Sequence, residues 1–557
     1  MHRVFLVPEI LNIIFERLPD DGKNNTLASA ARTCKLFEEP ALENLWHTQS
    51  SLVPLLRCAP GAFVQNFEKD TLKDMKNKAK INMKPTEFVQ LLGKLNTFYA
   101  DRPLYPSERN RIQKYAMKIK SFVEKNEETS TAVHIDGSVF SVLFSIEDDY
   151  LFNNLRSLKW PISGLQKADY SLLARFLSPK LSHVDLSYFQ RHNLDMAVID
   201  MLRKQCHMLS HFTINCNHNA AVSLALRDLF TVSTMLRRVE CDVELDAGHL
   251  LPLSCIPNLE YLDISIRSGI TLKKDTLSSV HSIFPCLKSL TIHSDAVALL
   301  TNFLNLGHFS QLSSITSTHS MLPQIGDFQE LFQAIARHCS PLVLESITLK
   351  ITRFRFTPYS NPLDRQDIEP LLDFHNIHTL RIEGMLCYNI TDTDVGDMAV
   401  AWPKLRNLYF DPNGLWPALS GLTLDSLPKL ANHCPELTLF GAKLRVNAHN
   451  PRKHSGPSAN GKRGYNLQNL HVGPAMINNA GYVAAFLSDI FPEMQECGVH
   501  AWTELDEEDL DGAIHSERWD NVNKLYLLLN GVRRQERDLI TKSERFSDVE
   551  DSEDDAA

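Results

Sequence analysis

The chain has 557 residues, 43% of them hydrophobic and 22% charged, which is too apolar for disorder throughout and enough to bury sizeable cores. Its 57 Lys and Arg against 67 Asp and Glu leave a net charge of −10, which argues against a general nucleic-acid binder, because phosphate contacts need a basic surface. Eleven cysteines without a C-x-x-C pair are too sparse for a disulfide framework, the first residues lack the apolar core of a signal peptide, and no window reaches membrane-spanning length; a soluble protein of the cytoplasm or nucleus, with no membrane association, is expected.

The first predicted helix lies in Val7-Pro8-Glu9-Ile10-Leu11-Asn12-Ile13-Ile14-Phe15-Glu16-Arg17-Leu18-Pro19. Proline in the first turn loses nothing by lacking an N–H, Glu9 complements the positive end of the helix, and Ile10, Leu11, Ile14, Phe15 and Leu18 form one apolar stripe. After a polar turn, Asp20 to Asn25, a second helix is predicted over Thr26 to Phe37, and a third begins at Pro40 and carries Leu42, Leu45 and Trp46. So short a segment cannot bury all this apolar surface within itself; either a partner or the following helices take the surplus.

The order Pro-Glu-Ile-Leu-x-x-Ile-Phe-x-x-Leu, then Leu-Ala-x-x-Ala-Arg-x-Cys-Lys-x-Phe, then Leu-x-x-Leu-Trp resembles an F-box from Phe5 to Trp46, with Val7-Pro8 in place of the usual Leu-Pro opening. The resemblance implies a Skp-type adaptor and a cullin scaffold as partners, in an SCF-type cullin-RING ubiquitin ligase. The positions matching the motif's adaptor-binding surface are Pro8, Ile10, Leu11, Leu18, Leu45 and Trp46.

Residues 51–150 read as a helical spacer with turns at Pro103 and Pro106. Its run Lys73, Lys76, Lys78, Lys80 and Lys84 is read as a solvated helix face.

From residue 151 to 530 the pattern L-x-x-L-x-L, with any apolar residue at its first, fourth and sixth positions, starts at Leu155, Leu181, Leu209, Leu236, Leu259, Leu287, Leu312, Leu344, Ile377, Leu405, Leu437, Leu467, Met494 and Val522. The mean spacing is about 28 residues. Of the 42 pattern positions only Ser317 is polar, and the intervening segments carry apolar residues three and four apart, so each repeat is a strand followed by a helix. Phrases such as Ile256-Pro257, Phe284-Pro285, Trp402-Pro403, Cys434-Pro435 and Phe491-Pro492 end the helices and release the next strand. His338 and His433 are expected at helix C-termini. The array resembles the leucine-rich-repeat fold, although the Asn or Cys usual at the ninth position is filled only by Asn217, Asn413 and Asn530. The expected fold class is therefore α/β, a horseshoe of about 14 degenerate repeats. F-box, spacer and degenerate repeats together are similar to the large F-box families of mushroom-forming fungi.

Two segments depart from the pattern. His449 to Gly464 reads as a surface loop, and 531–557 as a disordered acidic tail in which Ser547 and Ser552, each with an acidic residue three places on, suit an acidophilic kinase; a merely solubilising tail fits equally. No P-loop, G-x-G-x-x-G, H-E-x-x-H or G-x-S-x-G occurs, and the histidines show no metal-ligand spacing, so no catalytic residue, cofactor or metal is expected. The acidic cluster Asp506, Glu507, Glu508, Asp509 and Asp511 reads as a solvated helix start.

If the first, fourth and sixth positions of each strand face the core, the third and fifth face a concave surface. There Ser289 and Thr291, Ser314 and Thr316, Ser346 and Thr348 form a hydroxyl stripe, flanked by Glu240, Tyr261 and Asp263 and by Thr379, Arg381, Asn407 and Tyr409. A protein substrate is expected to dock on it with Tyr261, Arg381 and Tyr409 as anchors. Ser and Thr also simply suit exposed strand positions. A plain leucine-rich-repeat scaffold, its N-terminal helices only capping the array, is the alternative function.

Overall fold

The computed structural model describes residues 7–19, 21–67, 96–123, 133–145, 150–160, 173–186, 196–216, 220–266, 283–352, 362–384, 388–412, 421–446, 464, 466–473, 475–494, 499–500 and 510–554. They fall into two compact units, Met1–Leu259 and Glu260–Ala557. The lysine run of the spacer, most of the loop after His449 and the acidic residues 506–509 lie outside the described residues.

The first unit opens with three helices, α1 (Pro8–Glu16), α2 (Lys23–Thr33) and α3 (Lys35–His47). The expected second helix is cut at Cys34, whose extended backbone (φ −158°, ψ 158°) ends α2 and whose carbonyl accepts from Phe37 and Glu38 to start α3. Pro40 consequently sits inside α3 instead of opening it. Leu11, Phe15, Leu27 and Ala41 are the buried centre, with Leu18, Leu36, Phe37 and Leu45 packed around them.

Residues 51–150 are not purely helical. Among the described residues a small sheet joins β2 (Phe63–Phe67) antiparallel to β3 (Asn96–Ala100) and β3 parallel to β5 (His134–Ile135). The repeat sheet also begins earlier than the pattern does, with β1 (Thr48–Gln49) paired parallel to β4 (Ser121–Phe122). Strands of two residues are too short to display a hydrophobic period, so the sequence signal misses them. The parallel series continues through β6 (Ser157–Lys159), β7 (His183–Leu186), β8 (His211–Ile214) and β9 (Arg238–Leu245).

Among the described residues the second unit carries nine parallel strands in sequence order: β10 (Tyr261–Ile266), β11 (Ser289–Ser294), β12 (Ser314–His319), β13 (Ser346–Ile351), β14 (Thr379–Glu383), β15 (Asn407–Phe410), β16 (Leu439–Ala442), β17 (Asn469–His471) and β18 (Val499–His500). Helices Val297–Leu304, Asp327–His338, Asp392–Ala401, Ser426–His433 and Ala480–Ile490 return the chain between them, with Leu300, Phe303, Leu331, Ile335, Met398, Leu430 and Leu487 buried. His338 and His433 are the last residues of their helices. Stacked parallel strands alternating with helices, as they run among the described residues, make an α/β arrangement consistent with a repeat horseshoe.

Twelve of the fourteen windows fall on strands β6 to β17, and the thirteenth reaches β18 at Val499, its residues 495–498 lying outside the described ones. The fourteenth, at Val522, does not: it lies inside the helix Leu510–Asp554. Val522, Leu525 and Leu529 repeat at three and four residues as well as fitting the strand pattern, no proline precedes the window, and Trp519, Val522 and Tyr526 are buried as one helix face. The same helix runs through 531–554, which the composition marks as a disordered tail. Once a helix is nucleated by packing, each further Glu, Lys, Arg or Ser residue extends it at little cost.

Candidate protein-binding surfaces

Strand register decides which side chains lie beside one another. Across β10 to β15, Tyr261, Ser289, Ser314, Ser346, Thr379 and Asn407 are direct partners in one row. Asp263, Thr291, Thr316, Thr348, Arg381 and Tyr409 form the next. Neighbouring strands stand about 4.8 Å apart, so the expected stripe is a continuous ladder of hydroxyls. All six central Ser and Thr residues are half-buried, and none makes a side-chain hydrogen bond among the described residues. Their donors and acceptors are unspent.

The ends of the ladder are charged and already internally engaged. At β10, the Asp263 carboxylate accepts from the Tyr261 hydroxyl at 3.4 Å and pairs with His293 Nε2 at 3.1 Å. At β14, Arg381 pairs with Glu383, and its guanidinium carbon lies 4.1 Å from the centre of the Tyr409 ring. Tyr409 is not the protruding anchor the sequence suggests. It is buried, edge-on to His471 at 5.8 Å, and a Cβ at Gly441 on the neighbouring strand would meet its ring at 2.3 Å. Burial pushes its hydroxyl pKa up. The glycine leaves room for the ring beside Arg381, and of the three expected anchors Tyr261 and Arg381 stay half-buried while Tyr409 is buried.

The first unit has matching rows, of which the sequence pattern singled out only Glu240. Ser157, His183, His211 and Arg238 are consecutive partners, and Lys159, Asp185, Thr213 and Glu240 are the next row. The His183 and His211 rings stack with centroids 4.0 Å apart, and burial lowers both pKa values. Glu240 accepts from Thr213 at 3.2 Å and from Arg238 at 2.7 Å. The signal was present, because the same third and fifth positions apply to these windows.

The N-terminal bundle offers the second surface, and here the structure divides the residues that match the motif. Leu11 is wholly buried, and Trp46 is buried by stacking on Tyr115 of the helix Pro106–Ala116 with centroids 4.6 Å apart. Leu11 belongs to the core of the bundle, Trp46 ties α3 to the helix Pro106–Ala116, and neither is exposed. Ile10, Leu18 and Leu45 are half-buried, and Pro8 is exposed. The side chains that do stand out are Val7 at 39%, Ile13 at 52% and Ile14 at 40% exposure. Ile13 lies about 200° round the helix from Leu11 and so points outward once Leu11 faces the core, whereas Ile14 lies only about 60° from Leu11 and its exposure is decided by packing, not by spacing. Asn44 donates to Asn12 at 3.1 Å, tying α3 to α1 behind this face.

One polar trio has the connectivity of a hydrolase triad. Asp246 Oδ1 lies 2.7 Å from His249 Nδ1, and His249 Nε2 lies 2.9 Å from the Ser223 hydroxyl. Yet the same Nε2 is 2.7 Å from the Ser223 carbonyl oxygen, which can only accept, so Nε2 carries the proton and cannot take one from serine. Asp246 meanwhile caps its own helix by accepting from the Gly248 amide at 2.9 Å. The trio ties two helices together. Among the described residues no three His, Cys, Asp or Glu side chains are placed to hold a metal, and no helix is long and apolar enough to cross a membrane. Ser547 and Ser552 lie on the C-terminal helix. Comparison with protein-family models and with curated proteins returns no match for the chain.

Proposed function

We propose that the chain is the substrate-recognition subunit of an SCF-type cullin-RING ubiquitin ligase, working in the cytoplasm or nucleus. A Skp-type adaptor, itself carried by the cullin, binds the exposed face of α1, and a protein substrate binds the strand rows. The chain catalyses nothing; it raises the effective concentration of substrate beside the charged ubiquitin carrier. Nucleic acid and membrane have no part in it.

The observation that carries this reading is the division of α1. Leu11 and Phe15 satisfy the core, while Ile13 and Ile14 on the helix and Val7 at its N-cap remain exposed. Exposed aliphatic side chains at adjacent helical positions are what a helical adaptor would bury. The unspent hydroxyl ladder supports the second half, since an extended polypeptide laid across it finds a hydrogen-bonding group on each strand.

The test is co-purification of a Skp-type adaptor with the tagged chain. Replacing Ile13 and Ile14 together by Asp should lower adaptor affinity about 30-fold to 1,000-fold, a loss of about 2 to 4 kcal/mol, because two anchors lose their desolvated contacts. Both positions are exposed, so the thermal midpoint should stay unchanged. Leu11→Ala is expected to lower that midpoint instead. A wild-type chain that retains no adaptor returns the function to the alternative, a repeat scaffold without ligase association.

A further inference from the structure

The strands of the first unit carry a line of residues along their starting edge. The backbone N–H of Lys120 donates to the His47 carbonyl, that of Arg156 to Lys120, Ser182 to Arg156, Ser210 to Ser182 and Arg237 to Ser210. One position on, Thr48, Ser121, Ser157, His183, His211 and Arg238 are consecutive strand partners. Neither row holds an Asp or a Glu, in a chain whose net charge is −10. Arg156, His183, Arg237 and Arg238 are exposed, and Lys120 and His211 are half-buried. The same line in the second unit is built differently, since there Glu260 pairs with Lys288 at 2.8 Å and Glu345 with His378 at 3.8 Å. In the first unit neither Lys120 nor Arg156 has a carboxylate at ion-pair distance among the described residues. The next row, in which Lys159 pairs with Asp185 at 3.7 Å and Glu240 meets Arg238 at 2.6 Å, is balanced and borders the basic strip.

The imidazoles register this field. The His211 pKa is lowered by burial first and then by His183, Arg238 and Arg237, against Glu240. That of His47 is lowered by burial and then by Lys120 and Arg156, against Glu16. Like charges held together destabilise a fold, and an anion laid along them relieves the repulsion. We propose that these two rows bind a stretch of Asp and Glu residues in a protein substrate, laid in extended form across the strands. The proposal rests on the reading of the strand rows as the substrate surface and names what they select. Charge complementarity gives the sign of the occupant, and spacing gives its kind. The basic groups are spread over successive strands about 4.8 Å apart, so that Lys120 to Arg238 spans about 19 Å, the length of about six extended residues. Carboxylates distributed along a peptide match that spread, whereas a single phosphate needs donors that converge on one point.

Fluorescence anisotropy of a labelled hexaglutamate peptide with the full chain should show binding at about 50 mM salt that is lost by about 500 mM, because exposed ion pairs are screened. Lys120→Ala with Arg156→Ala should weaken it about ten-fold, through the loss of two charged contacts. The thermal midpoint of this variant should not fall, since neither side chain gives up a carboxylate partner. Arg156→Glu with Arg238→Glu should abolish binding of the peptide. A wild-type chain that does not bind hexaglutamate, or variants that bind it undiminished, overturns the proposal. So does tighter binding of a neutral peptide carrying one phosphoserine, or of a single-stranded RNA hexamer. Adaptor co-purification on the same proteins keeps the two readings apart. A chain that retains the adaptor and ignores hexaglutamate loses the acidic ligand alone, and one that binds hexaglutamate without an adaptor keeps the acidic ligand and loses the ligase role.

Discussion

Ser317, the one polar residue among the strand core positions, is explained by a neighbour two places on. His319 is wholly buried on the same face of β12, with Nε2 2.9 Å from the Ser317 hydroxyl and Nδ1 3.0 Å from that of Ser294. The Ser294 hydroxyl already donates to the Ala296 carbonyl, so Nδ1 donates to Ser294 and Nε2 accepts from Ser317, leaving a neutral, fully satisfied imidazole. Ser317→Ala strands that acceptor and should cost about 1 to 3 kcal/mol, read from the urea midpoint. Burial lowers the His319 pKa to about 4. The unfolded chain, with an imidazole near 6.5, therefore takes up the proton first. The contribution is whole above about pH 6.5 and is lost as pH falls toward 4, amounting to about 3 kcal/mol at the lower limit. His47, His183 and His211 are lowered too, chiefly by burial, and act in the same sense. Urea midpoints at about pH 7.5 and 5 should differ accordingly, and His319→Gln should flatten the difference.

At the scale of elements, a side chain's role follows from what the adjoining strand lacks. Tyr409 and Arg381 hold their places because Gly441 offers no side chain to the ring. Gly441→Ala should displace Tyr409 and destabilise by about 1 to 3 kcal/mol through overpacking, and a change in the near-ultraviolet circular dichroism of tyrosine would report the ring's movement. A variant with unchanged stability and spectrum would show that the ring has room to turn. The same dependence governs α1, where spacing alone assigns Ile10, Leu11, Ile14, Phe15 and Leu18 to one stripe. The helix faces α2 and α3 over a narrower arc than that stripe, so Leu11 and Phe15 go in and Ile14 stays out.

At the scale of the molecule, an array of parallel strands needs a lid on its last repeat, because an uncovered repeat exposes its core and its strand edge. The C-terminal helix supplies it: Trp519 and Tyr526 are buried and bonded to the carbonyls of Ala475 and Phe491. Trp519→Ala should cost about 3 to 5 kcal/mol locally. Because repeats contact chiefly their neighbours, the loss should appear in hydrogen exchange as faster amides in β16 to β18, with β10 to β13 keeping their protection. Uniform loss along the unit would instead mean that it unfolds as one block.

The sequence by itself determined where twelve strands run and which of their side chains share a row. Alternation and helix-ending prolines such as Pro403, Pro435 and Pro492 are local signals, and a parallel stack converts them directly into register. It did not determine the fate of the window at Val522, since apolar residues three apart fit a helix as well as a strand and only burial of Trp519 and Tyr526 chose between them. Nor did it show that β1 and β4 extend the sheet, that Leu11 and Trp46 face inward, or that Arg381 is already paired with Glu383. All but the last depend on a group brought up from elsewhere in the chain, β1 on β4, Leu11 on Leu27 and Ala41 and Trp46 on Tyr115, while Arg381, paired within its own strand, also lies over the ring of Tyr409 from the next. Periodicity assigns a residue to a face, but exposure is the surface left after distant segments have packed, and that quantity exists only in the folded chain.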